Sequence, residues 1–296
     1  MSINEPTTIT LSDGRTQQIF LDDRAPEDSA LLVFHHGTPA AGPMDPDFID
    51  TAREHGFRML EIVRPGYGLT TRQVGRTVAD VAPLVAEIAD LFGHERFVSI
   101  GWSGGGPHTL ATAALLPDRC VATLCIAGVA PWNAEGLDFM AGMGQDNIIE
   151  FGAALEGEQQ LIDFLTPAAE GLSKATGAEI IAELDSLLPE ADRAVLSAGR
   201  AEAFAATFRW AVSSGIAGWY DDDRAFLADW GFAPESITVP TFVYQGSDDL
   251  MVPFAHGQWL AAHLPTSTAT LVEGEGHLSI DAYLSEGLTA ARALLT

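Results

Sequence analysis

Apolar positions along this chain follow two rhythms. In the first 130 residues, and again from residue 233 onward, compact apolar runs alternate with stretches of helical spacing. Thr8–Leu11 and Thr16–Phe20 alternate polar and apolar residues around Ser12-Asp13-Gly14, which predicts a β-hairpin. Leu31–Phe34, Arg58–Val63, Phe97–Ile100 and Val121–Ala127 have the length and apolarity of buried strands. Between the second and third of these, apolar residues recur at Val78, Val81, Leu84, Val85 and Ile88, one face of a helix. A further helix should follow Gly101–Gly106, with Pro107 in its first turn, where a missing N–H costs nothing, and Pro117 beyond its end. Buried strands separated by helices are the pattern of a mostly parallel sheet covered on both faces, an α/β fold.

The second rhythm occupies residues 131–232. No buried strand is visible there, and helix-like stretches run through Ile148–Leu155, Gln160–Leu165, Ala178–Leu188 and Ala201–Val212. Strand and helix alternate again through Thr241–Gln245, Phe254–His263, Ala269–Val272 and Leu278–Leu295. The predicted organisation is one α/β core, residues 1–130 and 233–296, interrupted after its sixth strand by a helical cap, residues 131–232.

Gly101-Trp102-Ser103-Gly104-Gly105 matches G-x-S-x-G and lies between a predicted strand and a predicted helix, the context that motif requires. A sharp turn there lifts Ser103 above the sheet edge, and the helix that follows aims its positive end at developing negative charge. No Lys-Ser or Lys-Thr follows the glycines, so a phosphate-binding loop is excluded. A serine nucleophile needs a base and an acid that orients the base. Asp248 and Asp249 come just past the strand Thr241–Gln245, and His277 follows Gly276 past Ala269–Val272. All three stand beyond strand ends, where ligands collect in open α/β sheets. No H-E-x-x-H, C-x-x-C or grouped His and carboxylate spacing points to a metal, and no dinucleotide fingerprint is present. Chemistry without metal or cofactor is expected.

On these residues the chain resembles the α/β-hydrolase superfamily, over nearly its whole length outside the helical stretch. His35-His36-Gly37-Thr38-Pro39 is similar to the family's H-G-x-P loop, and Arg64-Pro65-Gly66-Tyr67-Gly68 to its P-G-x-G turn. Gly246–Pro253 resembles the G-x-x-D-x-x-V-P element, in whose register the acid is Asp249 with Asp248 as the fallback, and Gly276-His277 matches the histidine element. The resemblance implies Ser103 as nucleophile, His277 as general base and then acid, and Asp249 as the residue holding the imidazole. It implies an oxyanion hole from the backbone N–H groups of Thr38 and Gly104. Trp102 and His36 are the expected substrate-side neighbours, Trp102 as a pocket wall and His36 mainly as a support for its own loop. In such proteins the cap shapes the pocket. Its aromatic and methionine residues read mostly as helix packing with a few lining an apolar pocket, and Asp221-Asp222-Asp223 as a solvated run at a helix start. His55, His94, His108, His256 and His263 read as ordinary helix or surface residues.

The activity so implied is a cofactor-independent serine hydrolase acting on a small, largely apolar, neutral ester or lactone through an acyl-enzyme. A proline iminopeptidase-like aminopeptidase and a carbon–carbon bond hydrolase use the same machinery, and a non-catalytic small-ligand receptor is the alternative of another class. Serine at position 103 disfavours dehalogenase and epoxide hydrolase chemistry, whose relatives in this superfamily use Asp there.

Charge narrows the partners. The 296 residues include 41 acidic and 15 basic ones, a net charge of -26, which argues against nucleic acid and anionic membrane surfaces. A small-molecule substrate is the expected partner. Lys174 is the only lysine, and surplus acid with so little lysine suggests salt adaptation, or a nucleotide-composition bias that favours Arg over Lys. Residues 131–232 carry 18 acidic and five basic residues, so a site mouth there would disfavour anionic substrates and admit neutral or cationic ones. Cys120 and Cys125, five apart in a predicted strand, should point to opposite faces and form no bridge. With no leader pattern at Met1–Glu5 and no run of roughly 18 apolar residues, a cytoplasmic location is expected.

Overall fold

In the computed structural model, which describes residues 5–295 apart from the side chains of Glu183 and Asp185, the hairpin is β1 (Thr7–Thr10) and β2 (Thr16–Leu21). Met1–Asn4, most of the stretch read for a leader, lie outside the described residues. Gly14 turns the hairpin at φ +86°, and its amide donates to the Leu11 carbonyl at 2.9 Å. The chain continues through β3 (Ala30–His35), α1 (Pro46–Glu54), β4 (Phe57–Ile62) and α2 (Val81–Leu91). Next come β5 (Phe97–Trp102), α3 (Gly106–Leu115) and β6 (Cys120–Ile126). Six α-helices separate β6 from the next strand: α4 (Gln145–Glu156), α5 (Glu158–Leu172), α6 (Gly177–Glu183), α7 (Glu190–Val195), α8 (Ala198–Ala211) and α9 (Ala217–Phe226). The chain then closes with β7 (Thr241–Gly246), α10 (Phe254–His263), β8 (Ser267–Val272) and α11 (Leu284–Ala293).

The strands form one eight-stranded sheet in the order β1-β2-β4-β3-β5-β6-β7-β8. From β4 to β8 all neighbours are parallel, and the hairpin joins β4 antiparallel at one edge. Period-two alternation divides the core. Leu31 and Val33 join α2 and α3 on one face, while Leu32 and Phe34 join α1 and α11 on the other. The two cysteines depart from the expected alternation. Phe97 pairs with Cys120 but Val98 with Ala122, so a bulge inserts Val121 and returns Cys120 and Cys125 to the same face. Both are buried free thiols, which burial pushes up to about 12.

The helical segment between β6 and β7 has small apolar clusters of its own, one around Leu161, Leu165 and Trp219 and another around Ile180, Ala205 and Phe208. Phe139, Phe151, Phe226 and Trp230 instead pack into the cluster on the α2–α3 face of the sheet. Helices α1 and α7 were not apparent in the pattern, and α9 starts at Ala217, ahead of the acidic run taken for its beginning. No helix among the described residues is long and apolar enough to cross a membrane.

Candidate active site

The turn from β5 into α3 is shaped by its glycines. Ser103 sits at φ +55°, in the left-handed region that costs an ordinary residue about 1–2 kcal/mol. A Cβ on Gly101 would overlap the Gly105 carbonyl, and one on Gly105 would overlap the carbonyl of His35 in β3. The turn therefore closes only with glycine at both positions, and it holds Ser103 ahead of the N-terminus of α3, where partial positive charge is concentrated.

His277 follows β8 and is buried, and its Nδ1 lies 2.8 Å from Asp249 Oδ2. A carboxylate only accepts, so in the neutral ring the proton sits on Nδ1 and the lone pair on Nε2. Asp249 is itself oriented: Oδ1 accepts from the amides of Met251 and Val252 at 2.8 Å, and Oδ2 from Gln245 Nε2 at 2.8 Å. Asp248 is exposed and takes a hydroxyl hydrogen bond from Ser247, whereas Asp249 is the one that meets the imidazole. Burial would lower the His277 pKa, but the charge and hydrogen bond of Asp249 and the charge of Asp192 outweigh it and raise the pKa above 6.5.

Asp192 is a residue the sequence reading missed. It stands in α7, fully buried, and accepts from the backbone amides of His277, Leu278 and Ser279 at 2.8–2.9 Å. One carboxylate from the helical segment thus fixes the loop that carries His277.

Asp222 holds the other side of the site. The run Asp221-Asp222-Asp223 is neither solvated nor at a helix start: all three are buried within α9, Asp222 at 0% exposure. Asp222 receives a fork from Arg64, a second ion pair from Arg76, and hydroxyl hydrogen bonds from Tyr67 at 2.8 Å and Thr38 at 2.7 Å. Desolvation alone would raise its pKa, but the two guanidiniums hold it well below the usual carboxylate range. Arg64 also donates to the carbonyls of His36 and Gly37 and to Thr38 Oγ1. The 36–38 loop is therefore clamped from beneath by Arg64 and from above by α9. Asp221 pairs with Arg72.

His36 does not line the site. It is fully buried; Nδ1 donates to the Gly37 carbonyl at 2.7 Å, and Nε2 accepts from the Arg64 amide at 3.1 Å. It supports its own loop, and it borders neither cavity, so a substrate contact is not seen. His108 and His256 are also interior residues, not surface ones. His256 bridges the start of the helical segment, accepting from the Ala130 amide and donating to the Phe139 carbonyl.

Two cavities meet at Ser103 and Thr38. The smaller, about 120 Å³, is bounded by Trp102, Phe48, Phe204, Glu61 and His277. Trp102 lines this cavity, and its indole N–H donates to the His277 carbonyl at 3.2 Å. The larger, about 670 Å³, includes Gly104 and is walled mainly by Phe151, Phe164, Leu172, Phe208, Trp219 and Phe226. That size is typical of small-molecule sites. Carboxyls of Asp146, Glu150, Glu179 and Asp223 also border it, with Lys174. Among the described residues no three His, Cys, Asp or Glu side chains are grouped to hold a metal ion.

Comparison with known proteins agrees with this architecture. A family model described as the alpha/beta hydrolase fold matches residues 30–150. The chain is 28% identical over 281 residues to a non-heme chloroperoxidase of Streptomyces lividans, covering 91% of each. It is 26% identical over 252 residues to a bifunctional esterase/perhydrolase of Acinetobacter calcoaceticus, covering 83% of each. In fold it is similar to naproxen esterase from Bacillus subtilis, with a TM-score of 0.67 at 18% identity, covering 97% of this chain and 90% of that one. The sheet order, the turn at Ser103 and these likenesses give the chain the α/β-hydrolase fold.

Proposed function

We propose that the protein is a serine hydrolase that cleaves a small, largely apolar ester or lactone through an acyl-enzyme. The observation that carries this reading is Ser103, held at φ +55° in the wall of the same cavity as His277, whose Nδ1 is bound by Asp249. Ser103 Oγ attacks the carbonyl carbon while His277 Nε2 takes its proton. The backbone N–H groups of Thr38 and Gly104 hold the oxyanion, each worth about 10²–10³ in rate. Collapse expels the alcohol, which leaves with the proton from His277. Water then attacks the acyl-enzyme by the same route and frees the acid. The helical segment caps the site and supplies most of the apolar wall.

A fluorophosphonate probe should label the wild type at Ser103, and Ser103→Ala and His277→Ala should lose both labelling and turnover. A panel of acyl esters, lactones, aminoacyl arylamides and thioesters, ranked by kcat/KM, should place esters or lactones first. Hydrolysis that survives in Ser103→Ala would overturn the mechanism. Failure of the folded wild type to label would favour a ligand receptor.

A second reading, transfer of the same acyl group to hydrogen peroxide instead of water, is supported by the names of the chloroperoxidase and esterase/perhydrolase relatives. Peracid released from an ester in the presence of peroxide supports it, and carboxylic acid alone counts against it.

A further inference from the structure

Strand alternation places a carboxyl where an apolar side chain is expected. Glu61 of β4 shares the α1–α11 face with Met59, and its register partners are Phe20 of β2 and Phe34 of β3. It is 1% exposed, and Oε1 accepts from the Gly42 amide at 3.0 Å. Among the described residues no hydrogen bond reaches Oε2, although most polar atoms so deeply placed find one. Nor is Oε2 one of the sealed, unpartnered atoms of the interior. What little of Glu61 is open faces the smaller cavity, which it borders together with Ser103 and His277.

The state of this carboxyl decides what it can bind. Burial pushes Glu61 up to about 8, against the Gly42 amide and the charge of Arg64, which lower it. At neutral pH the group is therefore protonated. Oε1 accepts from Gly42 as a carbonyl does, and Oε2 carries an O–H to donate. Around it the walls are largely apolar, with Met44, Phe48, Trp102 and Phe204 among them. Arg200 also borders the cavity, but its guanidinium is occupied by Asp45 and Asp281. The cavity thus offers one uncharged donor, suited to an oxygen that accepts.

The position of His277 decides which part of an ester lies there. The leaving oxygen takes its proton from His277, so the alcohol moiety lies on the His277 side of Ser103. His277 borders the smaller cavity and not the larger, whereas Gly104 borders the larger and not the smaller. The alcohol is thereby directed into about 120 Å³ and the acyl chain into about 670 Å³. The smaller space suits a group no larger than benzene, which a cavity of about 150 Å³ accommodates.

We propose that Glu61 is a specificity residue that donates a hydrogen bond to an ether or hydroxyl oxygen in a short alcohol moiety, so that the preferred substrates are esters of small alkoxyalkyl or hydroxyalkyl alcohols. This deepens the serine-hydrolase reading and rests on it for which bond is cleaved, but not for the binding.

Methoxyethyl hexanoate and butyl hexanoate match in length and differ by one ether oxygen in place of a methylene. The ratio of their kcat/KM values should fall about tenfold from wild type to Glu61→Met, the scale of one neutral hydrogen bond. Glu61→Gln, which can accept from Gly42 and donate to the ether, should keep the ratio. A carboxyl that merely braced the Gly42 loop would affect both esters alike. In the wild type the ratio should also fall as pH rises through about 8, because the ionised carboxyl only accepts, and in Glu61→Gln it should stay level. Arg64 behind Glu61, and Arg200, Asp45 and His277 around the cavity, are common to both proteins, so this comparison isolates Glu61. On the acyl side, the ratio for ethyl β-methoxypropanoate and ethyl pentanoate should not respond to Glu61→Met. Calorimetry with methoxyethanol and n-butanol reads the cavity without turnover, and their affinity ratio should change as the alcohol-side ratio does. If Glu61→Met does not fold, the pH comparison of wild type with Glu61→Gln decides the question. An alcohol-side ratio unchanged in folded Glu61→Met, lost equally in Glu61→Gln, or level through pH 8 in the wild type overturns the proposal. So does a fall confined to the acyl-side pair. If the fluorophosphonate fails to label Ser103 while the alcohol affinities shift, the hydrolase reading fails and the Glu61 site stands.

Discussion

Two opposing effects meet on the His277 imidazole. Burial favours its neutral form, the Asp249 carboxylate favours the cation, and the carboxylate prevails. A general base must be neutral, so activity is lost as pH falls through this raised pKa. The acid limb of kcat/KM should accordingly have its midpoint above 6.5, and Asp249→Asn should move it down while cutting kcat on the order of 10⁴-fold. A midpoint at or below 6.5 in the wild type would contradict the assignment. The stability sign is the reverse: the protonated ion pair stabilises the fold below 6.5, and that contribution is lost as pH rises through the folded pKa. The candidates Ser103, Asp249 and His277 are legible because each lies in a short local pattern beyond a strand end. Asp192 and Asp222 are not. Their partners are 85 and 158 residues away at His277 and Arg64, and a lone acid in a helical stretch reads as solvent-facing.

Strands were more legible than helices, and burial explains why. In β3 and β5 five of six residues are buried, so the runs are almost unbroken apolar sequence. Helix α9 conceals itself the opposite way: its buried side includes three aspartates, and a pattern that equates buried with apolar takes it for surface. The six residues of α7 are too few to show periodicity, yet this helix carries Asp192. Asp192→Ala should strand three buried amides at about 1–3 kcal/mol each, before any relaxation that lets water in. Urea unfolding should show a markedly lower midpoint. Asp192→Asn, which keeps an acceptor oxygen, should fall between alanine and wild type. If Asp192→Ala unfolds like the wild type, α7 does not hold the His277 loop.

For the whole molecule, the structure redistributes the net charge of -26. Asp192, Asp221, Asp222 and Asp223 count towards the acidity of residues 131–232 but are buried, three of them in ion pairs or against backbone amides. The remaining surface is still strongly acidic, so salt should screen its self-repulsion. Tm is expected to rise from low salt to molar KCl; an unchanged Tm would remove the idea of salt adaptation. The reach of Asp192 and Asp222 also bears on how freely parts of such a molecule can be exchanged. The helical segment is joined to the sheet by more than its two chain crossings, because it contributes the counter-groups for the His277 loop and for Arg64 and Arg76. A chimera that replaced residues 131–232 with a segment of equal length and apolar pattern would inherit three unanswered amides and two buried guanidiniums without a carboxylate. Transplants should succeed only when acids arrive at those two places, so the two parts of this chain are expected to change together rather than as interchangeable modules.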